Sequence, residues 1–286
     1  MEYDLAPFGG QTGAAPALVL LPIVLLLIFI EYFYAKSNHS DVYRVKETAA
    51  SLAIAVLQPA ARFASGLIAT PVILWVWEHR LLTLPQANVW TLLGLFLLGE
   101  FFYYWFHRWS HEMRLMWAAH SVHHSQNSFN LSAAVRLPWT GAVFAVTLNV
   151  LPLVSLGFNP LAVLAFFSLN LLYQFMLHTR FIKSFGRVGW ILNAPNHHLV
   201  HHASNLSCLD KNYGGILIIF DRLFGTFAKA PETEQIRFGL VDPMHSNNPL
   251  VIQFREWWRL GNDLLHAKSL GSALLILFRP PTHRPA

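Results

Sequence analysis

The stretch HRWSHEMRLMWAAHSVHH at residues 107–124 places five histidines in two spaced groups, directly after an apolar run. On a helix, residues three and four positions apart share a face. His107 and His111 would therefore form one chelating face, and the HxxHH group would bring His120 beside both His123 and His124. A chelating helix at the end of an apolar segment predicts a metal site at a membrane boundary.

A second stretch, at 171–202, supplies the rest of the histidine pattern: LLYQFMLH ends in His178, and NHHLVHH holds His197, His198, His201 and His202. Imidazole is a common ligand of zinc, copper, iron and nickel, so the groups favour a transition metal. Four ligands satisfy a structural zinc, whereas the three groups and His178 offer about nine, enough for two ions. His197 lies outside the HxxHH register, so it is predicted to be either a ligand or a hydrogen-bond donor to one.

Two polar residues beside the histidines, Glu112 and Gln174, are candidate catalytic residues. Glu112 directly follows His111, and three roles fit it: a carboxylate ligand, a partner that fixes an imidazole tautomer, or a solvated helix residue. Gln174 lies one turn before His178, so its amide could hold a ligand or a metal-bound water, or could form a hydrogen bond between helices. The isolated histidines are predicted to be interfacial or surface residues. These are His39, His79, His245, His266 and His283.

The composition indicates that lipid is the solvent for much of the chain. Hydrophobic residues make up 54% and charged residues 12% of the 286 residues, and the mean hydropathy is +0.40, which differs from the usual soluble balance. About 20 apolar residues cross a bilayer. Apolar segments near that length lie at 17–34, 49–77, 89–106, 139–156 and 160–177. The predicted fold is therefore an all-α membrane protein with about five transmembrane helices and a cytoplasmic histidine-rich helical cap.

The organisation predicted for the chain is one integral-membrane domain over 1–286, with the metal-binding core at 100–230. No positively charged leader and no small-residue cleavage site flank the first apolar run, which is therefore interpreted as a retained anchor. Pro59 interrupts the second run, so that span is expected to be kinked or in two parts. The runs GGILIIF at 214–220 and LGSALLILF at 270–278 are too short to span.

The basic residues predict the orientation of the chain and its environment. Most Lys and Arg fall in the loop 35–48, the segment 107–138 and the region after 177. The positive-inside rule then places these segments, and every clustered histidine, on the cytoplasmic face of a bacterial inner membrane or of the endoplasmic reticulum. The net charge of +5 forms no continuous stripe, so anionic lipid head groups are expected as partners and nucleic acid is not. The single cysteine, Cys208, excludes an intramolecular disulfide.

The longer motifs resemble the fatty acid hydroxylase and sterol desaturase superfamily of membrane di-iron enzymes, and within it the alkylglycerol monooxygenase branch. The residues that carry the resemblance are HRWSHE at 107–112, WAAHSVHHSQNSFNLSAAVR at 117–136, LLYQFMLHT at 171–179, NAPNHHLVHHASN at 193–205 and LDKNYGGILIIFDRLFGTF at 209–227. The resemblance implies two iron ions, dioxygen as co-substrate and nine ligands. Those ligands would be His107, His111, His120, His123, His124, His178, His198, His201 and His202.

The function expected from these observations is hydroxylation of a lipid C–H bond with dioxygen, by ether-lipid cleavage, sterol or fatty-acyl hydroxylation, or head-group hydroxylation. Desaturation of a sterol or acyl lipid on the same centre is an alternative. A histidine-rich membrane metal transporter or a zinc-binding protein is a further one, disfavoured because the ligands gather on one face and exceed four. The electron donor is left open among a reductase, a cytochrome and a pterin such as tetrahydrobiopterin.

Three arginines near the histidines, Arg108, Arg114 and Arg136, have two interpretations. They could bind an anionic lipid head group, or they could serve only the membrane topology. In the DKNYGG motif, Asp210, Asn212 and Tyr213 are placed to shape the entrance of the site. Asp and Asn in turns more often make local hydrogen bonds, so no substrate role is predicted for them.

Overall fold

The protein is described here by a computed structural model that covers residues 14–86 and 88–281, with side chains from residue 22 onward. Across those residues the secondary structure is helical, with two isolated β-bridges and no strand. The all-α prediction is therefore confirmed for this part of the chain. In chain order the helices are α1 (Ala14–Ser37), α2 (Val45–Glu78), α3 (Val89–Glu112), α4 (Arg114–His124), α5 (Leu131–Ala134), α6 (Ala142–Ala145), α7 (Leu151–Ser155), α8 (Pro160–Leu177), α9 (Pro195–His201), α10 (Ile219–Leu223), α11 (Pro249–Leu265) and α12 (Leu270–Phe278).

The chain divides into two compact units, residues 1–43 and residues 44–286. In the first unit α1 contains the predicted span 17–34, and the loop after it folds back so that the Tyr43 hydroxyl donates to Glu31 at 2.5 Å. The residues before Ala14, on which the prediction of a retained anchor depends, lie outside the described residues. The second unit holds every clustered histidine.

Within the second unit three described helices, α2, α3 and α8, are long and apolar enough to cross a membrane. α2 is a single helix of 34 residues that continues through Pro59 and Pro71, so the expected division into two parts does not occur. At 1.5 Å per residue it is about 51 Å long, more than the hydrocarbon core requires. α8 coincides with the predicted span 160–177. α3 continues beyond residue 106 to Glu112, which puts the first two histidines on a spanning helix.

The predicted span at 139–156 is shorter in the structure than in the sequence analysis. α6, a π-helical turn at Val146–Val150 and α7 together run from Ala142 to Ser155, too short for a full crossing. The chain just before α6 is held away from a helix, because the Trp139 backbone N–H donates to Gln253 and its indole N–H to the Ile54 carbonyl.

A tight turn then joins this short helix to α8. Gly157 has a φ of +98°, and a Cβ there would strike the carbonyl of Leu82. Asn159 caps α8 by accepting from the N–H groups of Leu161 and Ala162. The predicted helical hairpin is therefore present, with one short arm. The apolar core beneath it joins residues of α2, α3, α7 and α8.

The cap above α3 and α8 is made of short helices and ordered loops. At Met113 the backbone is extended (φ −118°, ψ 122°), which ends α3 and turns α4 back against it. The segment 214–220 does not span: Leu217 bridges Leu192, and its last residues begin α10. α12, at 270–278, is nine residues long and packs on α4 and α11.

Candidate metal centre

The structure gathers nine histidines into two groups whose ring nitrogens lie within 4.8 Å of one another inside each group. We call them the five-histidine group and the four-histidine group. The five-histidine group consists of His107, His111, His120, His124 and His201. The four-histidine group consists of His123, His178, His198 and His202. These are the same nine residues that the sequence analysis singled out as ligands.

Each HxxHH motif is divided between the two groups. His120 and His124, four positions apart, point into the five-histidine group, and His123 points into the other. α9 shows the mirrored arrangement, because His198 and His202 share the four-histidine group while His201 belongs to its neighbour. The first histidine does lie beside both members of the following pair, since the His120 ring is 5.6 Å from that of His123 and 5.0 Å from that of His124, but the pair itself divides between the two groups. Adjacent helix positions differ by about 100° in direction, so they face different centres.

The Nε2 atoms converge closely within each group. In the five-histidine group, Nε2 of His120 is 3.1 Å from that of His107 and 3.2 Å from that of His124. In the four-histidine group, Nε2 of His178 lies 3.1–3.2 Å from three other Nε2 atoms. Two imidazole nitrogens bound to one metal at about 2.1 Å, 90–109° apart, would be separated by about 3.0–3.4 Å. The spacing fits nitrogens that share an ion.

Hydrogen bonds alone cannot satisfy these nitrogens. A neutral imidazole has one N–H, and the short distance from His178 Nδ1 to the Gln174 carbonyl assigns its proton to Nδ1. His178 Nε2 is then an acceptor, yet three other nitrogens face it. Nε2 of His111 and of His201 is buried without a hydrogen-bond partner. Such a surplus of inward-facing lone pairs is the chemistry of a metal site.

Burial also keeps the imidazoles neutral. Desolvation, followed by the proximity of other histidines, lowers the pKa of His120, His124 and His201 well below its usual value. Desolvation likewise lowers the pKa of His123 to about 4 and that of His198 well below 6.5. A proton therefore does not compete for these nitrogens near neutral pH, and metal binding requires the neutral form.

Backbone carbonyls accept hydrogen bonds from the Nδ1 atoms of several histidine rings. Nδ1 of His107 lies 2.7 Å from the Tyr213 carbonyl, and Nδ1 of His201 lies 3.0 Å from the Lys211 carbonyl. His178 is held at 2.8 Å by the Gln174 carbonyl. A carbonyl on Nδ1–H fixes the tautomer and directs Nε2 towards the metal. The positioning groups are thus main-chain atoms, which side-chain motifs do not reveal.

Glu100, which the sequence analysis missed, lies inside α3 and links the loop of one group to the helix of the other. Its carboxylate accepts from the N–H groups of Ile216 and Leu217, both at 2.8 Å, and from the Asn170 amide at 2.5 Å. Asn170 in turn accepts from Gln174. Glu100 is 1% exposed, and a buried carboxylate in an apolar span is costly and usually functional. An acidic residue inside the run at 89–106 was the signal that could have found it.

Gln174 contributes its backbone to the centre rather than its amide. Its side-chain oxygen accepts from the Tyr103 hydroxyl at 2.8 Å, and its side-chain nitrogen donates to Asn170. Gly215 presses against Asn170 and Tyr103, where a Cβ would clash with both. The helix-to-helix hydrogen bond foreseen as one alternative is therefore present.

Glu112 lies outside both groups and is partly exposed. It forms an ion pair with Arg108 at 2.9 Å and accepts from the Tyr213 hydroxyl at 3.3 Å. The Tyr213 ring is tilted by 55° against that of His111, with centroids 5.4 Å apart. Asp210, with one carboxylate oxygen 4.0 Å from His111 Nδ1, is nearer to a histidine nitrogen. The contacts of Glu112 are thus with Arg108 and with Tyr213 beside the rings, an arrangement that is none of the three roles considered for it.

The DKNYGG segment, buried from Asn212 to Gly215, supports the five-histidine group. Asp221 accepts from the N–H groups of Tyr213 and Gly214 at 2.7 and 2.8 Å, and burial raises the pKa of that carboxyl to about 6. The Asn212 amide donates to the carbonyls of His197 and Ala228. These contacts fix the carbonyls that hold His107 and the neighbouring rings, so the local hydrogen bonds expected here support the site.

The remaining histidines stay outside the two groups. His197 is buried against Phe227, and desolvation together with the Arg222 charge lowers its pKa to about 4. Of the isolated histidines, His283 lies outside the described residues, and none of the described ones joins either group. Those four are His39, His79, His245 and His266.

The three arginines proposed for an anionic head group are engaged by the protein itself. Arg108 pairs with Glu112, and Arg114 pairs with Asp263. Arg136 is buried, and its guanidinium donates to Ser51, to Ser125 and to a backbone carbonyl of α2. The head-group interpretation is therefore not supported, and Arg136 instead orders the loop after α4.

That loop covers the four-histidine group with Phe129. The Phe129 ring lies 5.7 Å from the His178 ring and 5.3 Å from the His202 ring, and it stacks on Phe238 at 5.1 Å. Phe129 is 2% exposed. An aromatic cover excludes water from the nitrogens beneath it.

Comparison with known proteins assigns this region. Residues 92–226 match the family described as fatty acid hydroxylase. These residues are a fatty acid hydroxylase domain. The fatty acid hydroxylase domain contains all nine clustered histidines, Glu100, Gln174 and the DKNYGG segment. α2, α11 and α12 lie outside it.

Curated relatives extend the similarity beyond the fatty acid hydroxylase domain. The chain is 34% identical to alkylglycerol monooxygenase of Xenopus tropicalis, over 91% of this chain and 58% of that protein. It is 37% identical to alkylglycerol monooxygenase of Homo sapiens, over 74% and 47% respectively. Ornithine lipid hydroxylase of Rhizobium tropici is 30% identical, over 52% and 45%. The chain thus spans about half the length of the curated relatives it matches. No solved structure matches it.

Proposed function

We propose that this protein is a membrane-bound di-iron oxygenase that uses dioxygen to oxidise a C–H bond of a lipid. The observation that carries the proposal is the convergence of nine neutral imidazoles, eight of them buried and that of His120 partly buried, into a group of five and a group of four. Each group would hold one ion. A structural zinc needs four ligands in total, so the second group has no explanation in a single-zinc protein.

The choice of iron rests on the family and on the donor set together. All nine donors are imidazoles, which suit zinc, copper, iron and nickel. The matching relatives are named as monooxygenases and a hydroxylase, and a metal that activates dioxygen for oxygen insertion must be redox-active, which zinc is not. Bound iron would supply the electron transfer to dioxygen that organic side chains cannot. The hydroxylation is balanced by two electrons and two protons, with one oxygen atom entering the lipid and the other leaving as water.

The chain's own residues would orient and enclose this chemistry. The carbonyls of Lys211, Tyr213 and Gln174 hold three rings with Nε2 directed inwards. Phe129 covers the four-histidine group and excludes water. We assign positioning roles to the two candidate catalytic residues: Gln174 fixes His178, and Glu112 holds the Tyr213 side chain beside the five-histidine group.

The substrate we propose is a lipid that enters from the bilayer. His107 and His111 lie near the end of the spanning helix α3, and His178 follows directly on α8, so an acyl or alkyl chain between spans would end near them. An alkylglycerol is the first candidate, because hydroxylation next to the ether oxygen gives a hemiacetal that separates into an aldehyde and glycerol. Hydroxylation of a head group or acyl chain and desaturation are the alternatives. The distribution of Lys and Arg supports a location of this chemistry on the cytoplasmic face.

The test measures the metal and the oxygen together. The protein is purified anaerobically in lipid nanodiscs, reconstituted with iron, and examined by elemental analysis and Mössbauer spectroscopy. It is then given a chemical reductant, ¹⁸O₂ and a panel of alkylglycerols and aminolipids. We expect about two irons per chain, one for each histidine group. We also expect one ¹⁸O atom in the product, as the hydroxylation requires. One zinc per chain with no label in any lipid would refute the proposal.

The matched control for this test is provided by two neighbouring histidines. His198 belongs to the four-histidine group and His197 does not, yet both are buried on α9. His197→Ala should keep both irons, whereas His198→Ala should lose one. Equal losses in the two variants would mean that metal content reports only the folding of α9.

A further inference from the structure

α11 carries an apolar stripe that the described part of the chain leaves exposed. At 100° per residue, Leu250, Phe254, Trp258 and Leu265 fall on one face of the helix. Their exposed fractions are 58%, 44%, 81% and 85%. Single exposed apolar residues are ordinary, but an aligned row on one helix marks an interaction surface.

The stripe is distinct from the face that packs on the core. Ile252, Gln253 and Leu260 are buried, and Leu260 belongs to the cluster that joins α11 to Ala118 of α4. Gln253 is fixed by the Leu137 carbonyl and the Trp139 N–H. The helix is therefore already anchored on one side, and its apolar stripe points outwards.

α11 cannot cross the bilayer. Its 17 residues include Arg255, Glu256, Arg259 and Asp263, and a charged side chain at the centre of a bilayer is costly. A helix of this length with a strongly amphipathic pattern lies in the plane of the interface instead.

The stripe continues into the apolar surface of the neighbouring helices. The Phe254 ring lies 6.3 Å from Trp139, directly before the short helix that begins at Ala142, where Val143 is 61% exposed. On the other side α12 exposes Leu270, at 78%, and further apolar residues. One outward apolar surface thus runs from the hairpin of α8 across α11 to α12.

We propose that α11 and α12 are seated in the interface of the same bilayer that the spans cross, with the α11 stripe at the boundary between head groups and acyl chains. Continuity with the apolar hairpin argues for this occupant. A soluble partner or a second copy of the chain would have to cover only part of a surface that continues into the membrane. This placement of α11 and α12 extends the membrane contact to a region outside the fatty acid hydroxylase domain. It does not depend on metal chemistry.

The charges of α11 indicate what holds it there. Arg259 pairs with Asp242 at 2.6 Å and with Glu256 at 3.1 Å, and Arg255 pairs with Asp242 at 3.0 Å. The cations of this helix are thus neutralised within the protein. Apolar burial should therefore seat the helix, with no requirement for anionic lipid.

The test is a depth measurement by spin labelling. Cys208 is the only cysteine, so Cys208→Ala provides a background for single cysteines. Labels are attached in Phe254→Cys, Trp258→Cys and Leu265→Cys, with Asn262→Cys and His266→Cys as matched positions on the exposed polar side of the same region. Each variant is placed in nanodiscs of phosphatidylcholine, with and without phosphatidylglycerol. Power saturation then compares access for oxygen and for a water-soluble nickel chelate.

We expect the ratio of oxygen access to nickel access to be at least several-fold higher at the three stripe labels than at the two control labels. The depth should be equal in the two lipid mixtures. Nickel access at the stripe equal to that at Asn262→Cys would overturn the proposal, because the surface would face water. Low access for both reagents, with dipolar broadening between labels, would also overturn it, in favour of a second copy. If the labels reached this depth only in nanodiscs with phosphatidylglycerol, the proposal that apolar burial alone holds the helix would be overturned.

Discussion

The two histidine groups of this protein share their chemistry but differ in what surrounds them. The five-histidine group is held by one loop, through the carbonyls of Lys211 and Tyr213, and it lies beside the polar residues Asp210 and Glu112. The four-histidine group is held by the end of α8 and covered by Phe129. One group thus borders a polar loop, and the other is enclosed. The difference indicates that the two ions would have unequal access to water.

Loss of one ligand from each group should give the largest effect and separate the two sites. His111→Ala leaves four imidazoles in its group, whereas His198→Ala leaves three. We expect each variant to abolish lipid oxidation, and His198→Ala to lose its ion more completely, since fewer donors remain. Iron content by elemental analysis, with Mössbauer spectra, checks this. Identical loss of both ions in the two variants would contradict two separable groups.

Acid should destabilise the metal-free protein strongly, because both groups contain buried histidines whose pKa values are lowered. Burial lowers the pKa of His123 to about 4, against about 6.5 in an unfolded chain. Between these values the unfolded state binds more protons, so the free energy of unfolding falls as the pH falls below 6.5, by at most about 1.4 kcal/mol per pH unit for each such histidine.

Thermal unfolding of metal-free and iron-loaded protein from pH 7.5 to 4.5 measures this effect. The iron-loaded protein should be more stable at each pH, and its stability should fall with pH at least as steeply, because its imidazoles bind no proton while folded and gain protons only on unfolding. A thermal stability of the metal-free protein that stays constant from pH 7.5 to 4.5 would mean that the imidazoles are not the titrating groups.

Glu100→Gln should act on both groups at once, because Glu100 holds the loop of one and, through Asn170 and Gln174, the helix of the other. The amide presents a donor where the carboxylate accepts from Ile216 and Leu217, and at least one buried N–H loses its partner. We expect metal affinity to fall about 10–100-fold at both sites. Glu232→Gln, on an exposed glutamate, is the control for a change of charge alone. Unchanged iron affinity in Glu100→Gln would show that Glu100 does not support the metal centre.

Tyr213→Phe should give the smallest effect, because the backbone carbonyl of Tyr213, which the substitution keeps, is the group that holds His107. The hydroxyl makes a 3.3 Å contact with Glu112, whereas the carbonyl holds His107 at 2.7 Å. Removal of the hydroxyl alone should change activity only a few-fold and cost about 1 kcal/mol of stability. Steady-state rates and thermal unfolding test this. A thousand-fold fall in rate would instead assign a direct catalytic function to the phenol.

Much of the site follows from spacing, and the exceptions have a physical cause. HxxxH and HxxHH predict helical faces because the helix repeat is fixed, and each of the nine histidines lies in one of the two groups. Gln174 and Glu112 were sought as side-chain partners, and the structure engages them elsewhere. A side chain's partner depends on the element packed against it, and local spacing does not contain that information.

The spans show the same limit. Hydropathy locates α2, α3 and α8 because the length needed to cross a bilayer is fixed by its thickness. It does not foresee that Gln253 of α11 and the Ile54 carbonyl would hold Trp139 and shorten the next helix. Nor does it distinguish a surface helix with one exposed apolar stripe from a helix buried on all sides.

The sequence by itself determined the membrane class, the helical faces and the identity of the clustered histidines, because each depends on local composition or on a fixed repeat. The tertiary structure decided how those histidines divide into five and four, and it placed the main-chain carbonyls behind them. It also placed Glu100 between the two groups. The contacts of Glu100 and the contact of His107 with the Tyr213 carbonyl join residues about 70 to 120 positions apart, and only the packing of the helices brings such residues together.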